Sequence, residues 1–229
     1  LARECGGATI LAWMAVATIL ISSLIALNKD NLKARLAFST IGQLSYIVLG
    51  IAILSPLSTT GALYHLVAHA FMKITLFMCA GAIFVTTHKK NISEMVGLGR
   101  RMPITMSAFS LASLGIAGFP FFIGFVSKAN IIMGALQTGQ LLFGATLIVS
   151  AILALTYLMP VVLIAFKREP VNPEFSTYGE SSKMMLVPLL ITATVSVLLG
   201  VAPNFGLHLL DLAMSTGEAV FAPAGGVLC

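Results

Sequence analysis

Long runs of apolar residues, separated by short polar segments, occupy most of this 229-residue chain. About 20 consecutive apolar residues are needed for an α-helix to cross the hydrocarbon core of a bilayer. Strands of a membrane barrel would instead show segments of about ten residues with alternating polarity, and the run that starts at Ile10 has no such alternation. The pattern therefore predicts six membrane-spanning helices, at 9–27, 36–54, 63–86, 103–136, 141–166 and 184–201.

The composition also indicates a chain whose solvent is lipid. Hydrophobic residues make up 58% of the sequence and charged residues only 9%, whereas a soluble domain carries about 25% charged residues. The net charge of +5 is divided into short clusters and does not form the basic face that would predict a nucleic-acid partner. Three scattered cysteines, Cys5, Cys79 and Cys229, fit neither a disulfide framework nor a metal motif.

The basic clusters fall in alternate loops between the predicted spans. Three loops hold most of the 13 lysine and arginine residues: Lys29, Lys33 and Arg35; Lys89, Lys90, Arg100 and Arg101; Lys167, Arg168 and Lys183. The loops between them hold none, and only Arg3 lies on the other side. Because short cytoplasmic loops are rich in Lys and Arg, we expect a multi-pass protein of the cell (or inner) membrane. Its basic loops would be cytoplasmic, and both ends of this chain would lie on the opposite side.

The fourth predicted span, 103–136, is too long for one straight helix and contains residues that interrupt helices. Pro120 lacks a backbone N–H and clashes with the preceding turn, and Gly118 and Gly124 flank it. We predict a broken helix between these glycines, of the kind that lines hydrated cavities in transporters. The alternative is a continuous helix with a simple proline kink.

Two lysines stand inside the apolar runs, Lys73 in the third and Lys128 just after the predicted break. A lysine at the centre of a spanning helix costs about 2.5–3.5 kcal/mol on insertion scales, so such residues usually face a hydrated interior and serve a function. The alternative is that each side chain extends along its stem to the membrane surface. All eight Asp and Glu lie outside the predicted spans, so a carboxylate partner would have to come from elsewhere.

His65, His69 and Lys73 recur every four residues, which places them on one helical face about one turn apart. Three aligned protonatable groups in an apolar helix predict a proton relay, which Lys128 would extend. The alternative is that each histidine only makes hydrogen bonds between helices. We expect no metal site here because the span contains no Asp or Glu.

Other polar residues could line a water path beside these groups: Ser39, Gln43, Tyr46, Ser127 and Tyr157. Serines in membrane helices more often bond back to a carbonyl or to a neighbouring helix, which is the alternative interpretation. The sequence contains no phosphate-binding loop, nucleophile triad, redox-cofactor motif or zinc signature, so we predict no cofactor and no catalytic residue.

Four motifs in order resemble the antiporter-like subunits of respiratory complex I, Mrp-type cation/proton antiporters and membrane-bound hydrogenases. Residues 30–46 (DNLKARLAFSTIGQLSY) resemble DxKRxLAYSTxxQxGY, and residues 65–73 (HLVAHAFMK) resemble HxxxHAFFK. Residues 95–103 (MVGLGRRMP) resemble MGGLRKxMP, and residues 118–128 (GFPFFIGFVSK) resemble GxPPxxGFxSK. The segment 157–160 (YLMP) also fits. The resemblance covers nearly all of the chain.

The resemblance implies that Lys73 and Lys128 are the central and exit-side lysines of the second half-channel, bridged by His65 and His69. It also implies an all-α fold like the second of two inverted repeats, so that this single transmembrane domain, residues 1–229, would be helices nine to fourteen of a subunit of about fourteen. There are two departures, Phe121 at the second proline of the family pattern and Ala129 where complex I members often carry an acid.

These observations predict a proton-translocating subunit of an Mrp-type cation/proton antiporter without redox chemistry of its own. One alternative is a proton-pumping subunit of complex I, an NADH:quinone oxidoreductase-like translocase, or of a membrane-bound hydrogenase. Another is an inactive structural subunit. The expected partners are other membrane subunits of the same complex, lipid, protons and, as a further candidate, sodium; we expect no nucleic acid.

Overall fold

The structure is a computed structural model that describes residues 6–167 and 173–222. Four residues considered above, Arg3, Cys5, Arg168 and Cys229, lie outside the described residues. Within the described ranges the chain is helical and has no β-strand, only an isolated bridge between Asn31 and Asn91. The helices are α1 (Gly7–Leu27), α2 (Leu32–Ala52), α3 (Pro56–Thr87), α4 (Leu98–Arg101), α5 (Pro103–Ala117), α6 (Ile123–Gln137), α7 (Leu141–Lys167), α8 (Lys183–Val201) and α9 (Leu209–Phe221). Two 3-10 turns occupy Ile92–Glu94 and Pro173–Ser176.

Five helices, α1, α2, α3, α7 and α8, are long and apolar enough to cross a membrane. The remaining predicted span, 103–136, is the pair α5 and α6 with 15 residues each. A helix of that length measures about 22 Å at 1.5 Å per residue, which is shorter than the hydrocarbon core of about 30 Å. The prediction of an all-α membrane protein with one broken helix is confirmed.

The break between α5 and α6 follows from three residues in sequence. Gly118 adopts a left-handed conformation with φ 87°, and its N–H and that of Phe119 bond to the carbonyls of Gly115 and Leu114, each at 3.0 Å. This pattern closes a helix C-terminus and favours glycine. Pro120 then prevents the helix from resuming because it has no N–H to donate. The chain therefore passes through a short turn before α6 begins, and it does not simply kink.

Helix α3 lies at the centre of the fold and packs against α2, α5, α6, α8 and α9. It is longer than the predicted span, since it begins at Pro56 and includes the buried polar residues Ser58, Thr59 and Thr60. Helix α6 approaches α3 closely at Gly61, where an added Cβ would lie 2.7 Å from the backbone nitrogen of Ile131. Glycine is needed at this contact, which brings the next turn of α3 against α6.

The three basic loops meet at one end of the helical bundle. The first basic loop, after α1, contacts the second, after α3. The hydrogen bonds between them run from Leu32 N to Lys90 O (3.0 Å) and from Ile92 N to Asp30 O (2.9 Å). The second contacts the third where the Arg101 side chain donates to the carbonyl of Glu174 at 2.7 Å. Lys33 and Arg35, which we placed in the first basic loop, both lie in the first turn of α2; Lys33 is exposed there, whereas Arg35 is buried. Its guanidinium finds backbone carbonyls there, as described below.

Candidate functional site

Helices α2 and α3 run side by side in opposite directions and face each other with polar side chains. At one level the Lys73 ammonium lies 2.7 Å from Ser39 Oγ. At another, two helical turns away on α3, the His65 ring stacks on Tyr46 with 5.4 Å between ring centroids. Because the two helices are antiparallel, Gln43 and His69 share the level between these contacts. The continuation of this line on α6 and α7 completes what we call the polar row: Lys73, Ser39, Tyr157, Gln43, His69, His65, Tyr46, Ser127 and Lys128.

Lys73 is 5% exposed, and its ammonium is held by oxygen atoms of α2. It donates to Ser39 Oγ and, at 3.2 Å, to the carbonyl of Leu36. Ser39 Oγ also accepts the phenol O–H of Tyr157 at 2.8 Å. The ammonium therefore binds a hydroxyl that α7 holds from the other side. An ammonium has three N–H donors, so one donor remains for another partner.

Lys128 is 4% exposed and lies in the first turns of α6, against the end of α5. Its ammonium donates to the carbonyl of Ile116 at 2.5 Å and stands 4.8 Å from the centre of the Tyr46 ring. The last carbonyls of a helix lack partners within the helix and carry the negative end of its dipole. The break between α5 and α6 thus provides the cation site that an unbroken helix would not.

The two histidines lie between the lysines. His65 Nδ1 is 2.8 Å from Ser127 Oγ, and the Ser127 hydroxyl is 3.0 Å from the carbonyl of Gly124. Because a carbonyl can only accept, Ser127 donates its proton to Gly124 and accepts one from His65, which places the imidazole proton on Nδ1. His65 Nε2 is then a bare acceptor. Among the described residues, His65 Nε2, His69 Nε2 and Gln43 Oε1 are buried and have no hydrogen-bond partner.

Such unpartnered atoms matter because buried polar groups normally bind protein or ordered water. The polar row contains three such atoms. A few internal water molecules could bind them, since a buried water typically makes about three hydrogen bonds. The charge of Lys73 acts on His69, and that of Lys128 acts on both His65 and Lys73. Because like charges repel, protonation of one lysine disfavours protonation of the other.

The structure brings together every residue that the sequence analysis singled out for a relay or a water path. Tyr157 lies at the Lys73 end, and Tyr46 and Ser127 lie at the Lys128 end. Within the described part of the chain, neither ammonium has a carboxylate within ion-pair distance. The sequence analysis missed Arg35 as part of this region. A signal was present, because Arg35 precedes Ser39 by four residues and so shares its helical face.

Comparison with known proteins places the chain in a family. Residues 7–156 match the family described as "NADH:quinone oxidoreductase/Mrp antiporter, TM". The chain is 37% identical over 202 residues to NADH-quinone oxidoreductase subunit N of Desulforudis audaxviator, covering 83% of this chain and 40% of that protein. It is 36% identical over 188 residues to NADH-quinone oxidoreductase subunit L of Mycobacterium tuberculosis, covering 80% of this chain and 29% of that one.

A solved structure, that of the Mrp complex from Dietzia sp. DQ12-45-1b, shares the fold. A chain of that complex superposes with a TM-score of 0.86 at 24% identity, over 95% of this chain and 48% of that one. The chain thus spans less than half the length of these relatives. The family match and the shared helical fold lead to one conclusion: the chain belongs to the NADH:quinone oxidoreductase/Mrp antiporter transmembrane family.

Proposed function

We propose that this chain forms a proton-conducting half-channel in a membrane subunit of a multisubunit complex. The observation that carries the proposal is the polar row, in which two lysines and two histidines are buried in line among helices that are predominantly apolar. Ionisable groups at membrane depth are costly and usually mark ion or proton paths.

The proton would move between Lys128 and Lys73 through the two histidines. His65 can accept a proton at its bare Nε2 and release the one on Nδ1, so it can carry a proton in either direction along the row. The step between His69 and Lys73 would use water held by Gln43 Oε1 and His69 Nε2, which have no partner among the described residues. Repulsion between the two ammoniums would then couple uptake at one lysine to release at the other.

The proposal also concerns the kind of complex that drives proton movement. The motifs favour an Mrp-type cation/proton antiporter. A redox-driven complex is the second candidate, because the curated relatives quoted above are NADH-quinone oxidoreductase subunits. Purification of the native complex decides between them: bound iron–sulfur subunits mean redox drive, and their absence with sodium-dependent proton flux means antiport.

The half-channel is oriented, in this proposal, with the three basic loops in the cytoplasm. Their meeting at one end of the bundle supports a single cytoplasmic face. The partners would be other membrane subunits of the complex and lipid. Ile10, Trp13 and Met14 on the outer face of α1 are more than half exposed, which suits a lipid or subunit contact.

The proposal is tested in the intact complex by replacing Lys73 with alanine. We expect Lys73→Ala to abolish proton flux in inverted membrane vesicles, measured with a ΔpH-sensitive dye, while the complex assembles. Lys33→Ala is the matched control, because Lys33 is an exposed lysine on α2 whose ammonium lies over the face of Phe84. Wild-type flux in Lys73→Ala would exclude the half-channel and support an inactive structural subunit.

A further inference from the structure

Arg35 is a buried cation that the proposed proton path does not use. It is 9% exposed and lies in the first turn of α2. Its guanidinium donates to three backbone carbonyls, those of Lys29 at 2.8 Å, Tyr157 at 2.7 Å and Leu27 at 3.4 Å. A buried arginine is costly unless its donors are satisfied. The backbone at Leu27, Lys29 and Tyr157 must therefore place all three carbonyls within reach of the guanidinium.

One of these carbonyls is that of Leu27, the last residue of α1, where the last carbonyls have no partner within the helix and the dipole is negative. Another is that of Lys29, in the loop that follows α1. The third belongs to α7, three residues before Pro160. A proline inside a helix removes one hydrogen bond of the backbone ladder and displaces the preceding turn, so carbonyls in that turn are open to other donors. Arg35 binds the displaced turn of α7 to α1 and α2.

The carbonyl that Arg35 binds belongs to the same residue whose side chain completes the Lys73 site. The Tyr157 phenol donates to Ser39 Oγ at 2.8 Å, and Ser39 Oγ receives the Lys73 ammonium at 2.7 Å. Ser39 follows Arg35 by one turn on the same face of α2. Arg35 therefore fixes Tyr157 relative to Ser39 through the backbone, while the phenol and the hydroxyl meet beside it.

We propose that Arg35 is a positioning residue for Lys73, acting through Tyr157 and Ser39. It holds the α7 backbone at the distance where the phenol orients the Ser39 hydroxyl toward the ammonium. This inference rests on the proposed function, because it assigns Arg35 a role in proton transfer at Lys73. It is separable from that function, since the bonds that Arg35 makes to the carbonyls of Lys29, Tyr157 and Leu27 reach the polar row at the Tyr157 backbone.

Other ionisable groups also act on Lys73 and must be held constant in a test. They are His69 on α3, Lys128 on α6 and Tyr157 on α7. Asp30 is the carboxylate that interacts electrostatically with Arg35, but both of its carboxylate oxygens bond to Ser93. Removing Arg35 therefore does not release a carboxylate onto Lys73.

The test is a double-mutant cycle on Arg35 and Tyr157, measured in vesicles that contain the whole complex. Arg35→Met keeps the length of the side chain without its donors, and Arg35→Lys keeps the charge and one donor group. Tyr157→Phe removes the phenol alone. Arg100→Met is the control, because Arg100 is an exposed arginine of the same basic end. Proton flux is recorded across a range of pH, with complex assembly measured in parallel.

We expect Arg35→Met and Tyr157→Phe each to lower proton flux about tenfold. Both variants should also shift the pH profile of the flux in the same direction by roughly half a pH unit, which corresponds to a change of about threefold in the protonation equilibrium. The double variant should be no worse than either single variant, since both break one connection. Arg35→Lys should restore part of the flux. Arg100→Met should match the wild type.

An unchanged pH profile in assembled Arg35→Met, or effects of Arg35 and Tyr157 that multiply, would overturn the positioning role. If Arg35→Met does not assemble, the cycle between Arg35→Lys and Tyr157→Phe decides by the same criterion. Lys73→Ala separates the two proposals. Normal flux in Lys73→Ala removes the half-channel itself, whereas abolished flux with an unshifted Arg35→Met removes only the role of Arg35.

Discussion

The two lysines of the polar row are buried equally but bound in different ways. Lys73 lies in the middle of a continuous helix, and its ammonium donates to the Ser39 hydroxyl, which also accepts from Tyr157, and to the carbonyl of Leu36. Lys128 lies beside a helix break, where its ammonium contacts the backbone carbonyl of Ile116 and the face of Tyr46. The shorter bond of Lys73 thus goes to a side-chain hydroxyl of a neighbouring helix, whereas Lys128 bonds to a backbone carbonyl beside the helix break.

This difference predicts which substitutions affect each end. The Lys73 site can be altered by exchanging single side chains such as Ser39 while the helices stay in place. The Lys128 site depends on the break that Gly118 and Pro120 create, so changes to glycine packing should disturb it more than changes to neighbouring side chains. The predictions below test that contrast, starting with the largest expected effect.

Removing the Lys128 cation should affect transport as strongly as removing Lys73. We expect Lys128→Met to reduce proton flux far more than tenfold, because the row then lacks its only protonatable group on α6 among the described residues. Lys183→Met is the control, since Lys183 is exposed at the start of α8. Flux above a tenth of the wild-type value in Lys128→Met would show that the backbone-held site is dispensable.

Adding a side chain at the helix break should lower the stability of the protein as well as its proton flux. An added Cβ at Gly124 would overlap the carbonyl of Gly115, so Gly124→Ala should separate α5 from α6 and cost about 1–3 kcal/mol. Thermal denaturation of the purified complex measures this cost. Gly81→Ala is the matched control, because a Cβ at Gly81 meets nothing within 4 Å. Equal melting temperatures for the two variants would contradict a tightly packed break.

The main features of this contrast could be predicted from the sequence because they are local. The four-residue spacing of His65, His69 and Lys73 fixes one helical face whatever the tertiary structure. The break could be predicted because Gly118 favours a left-handed helix end and Pro120 prevents continuation. Both are properties of the backbone over a few residues.

Features that depend on tertiary contacts could not be predicted in this way. Arg35 resembles a loop residue in the sequence because charge at the end of an apolar run usually marks the membrane surface. Its burial depends on carbonyls at the end of α1 and in the turn of α7 before Pro160. Ser58, in the first turns of α3, is a polar residue that would suggest a loop, yet Gly134 packs directly on it. Helix α9 is short and amphipathic, so the search for long apolar runs missed it.

Changing the hydroxyl that holds Lys73 should have an intermediate effect. Ser39→Ala removes the common partner of the Lys73 ammonium and the Tyr157 phenol, and leaving such buried donors unpaired costs about 1–3 kcal/mol. We expect reduced flux with normal assembly, because Lys73 keeps its bond to the carbonyl of Leu36. Ser45→Ala is the control on the same helix, since the Ser45 hydroxyl donates to a carbonyl of its own helix, that of Ile41. Similar flux in both variants would contradict a side-chain-held cation.

The smallest effect is expected from removing only the hydroxyl of Tyr46. Tyr46→Phe loses the bond to the carbonyl of Leu147 at 3.3 Å and the hydrogen bond with Ser150 but keeps the ring that lies beside Lys128 and His65. A desolvated cation–π contact is worth about 2 kcal/mol, so Tyr46→Leu, which removes the ring, should lower flux much more than Tyr46→Phe. Flux measured across the same pH range distinguishes the two. Equal losses in both variants would mean that the phenol, and not the ring face, serves Lys128, and that end of the row would then depend on a side-chain hydroxyl as the Lys73 end does.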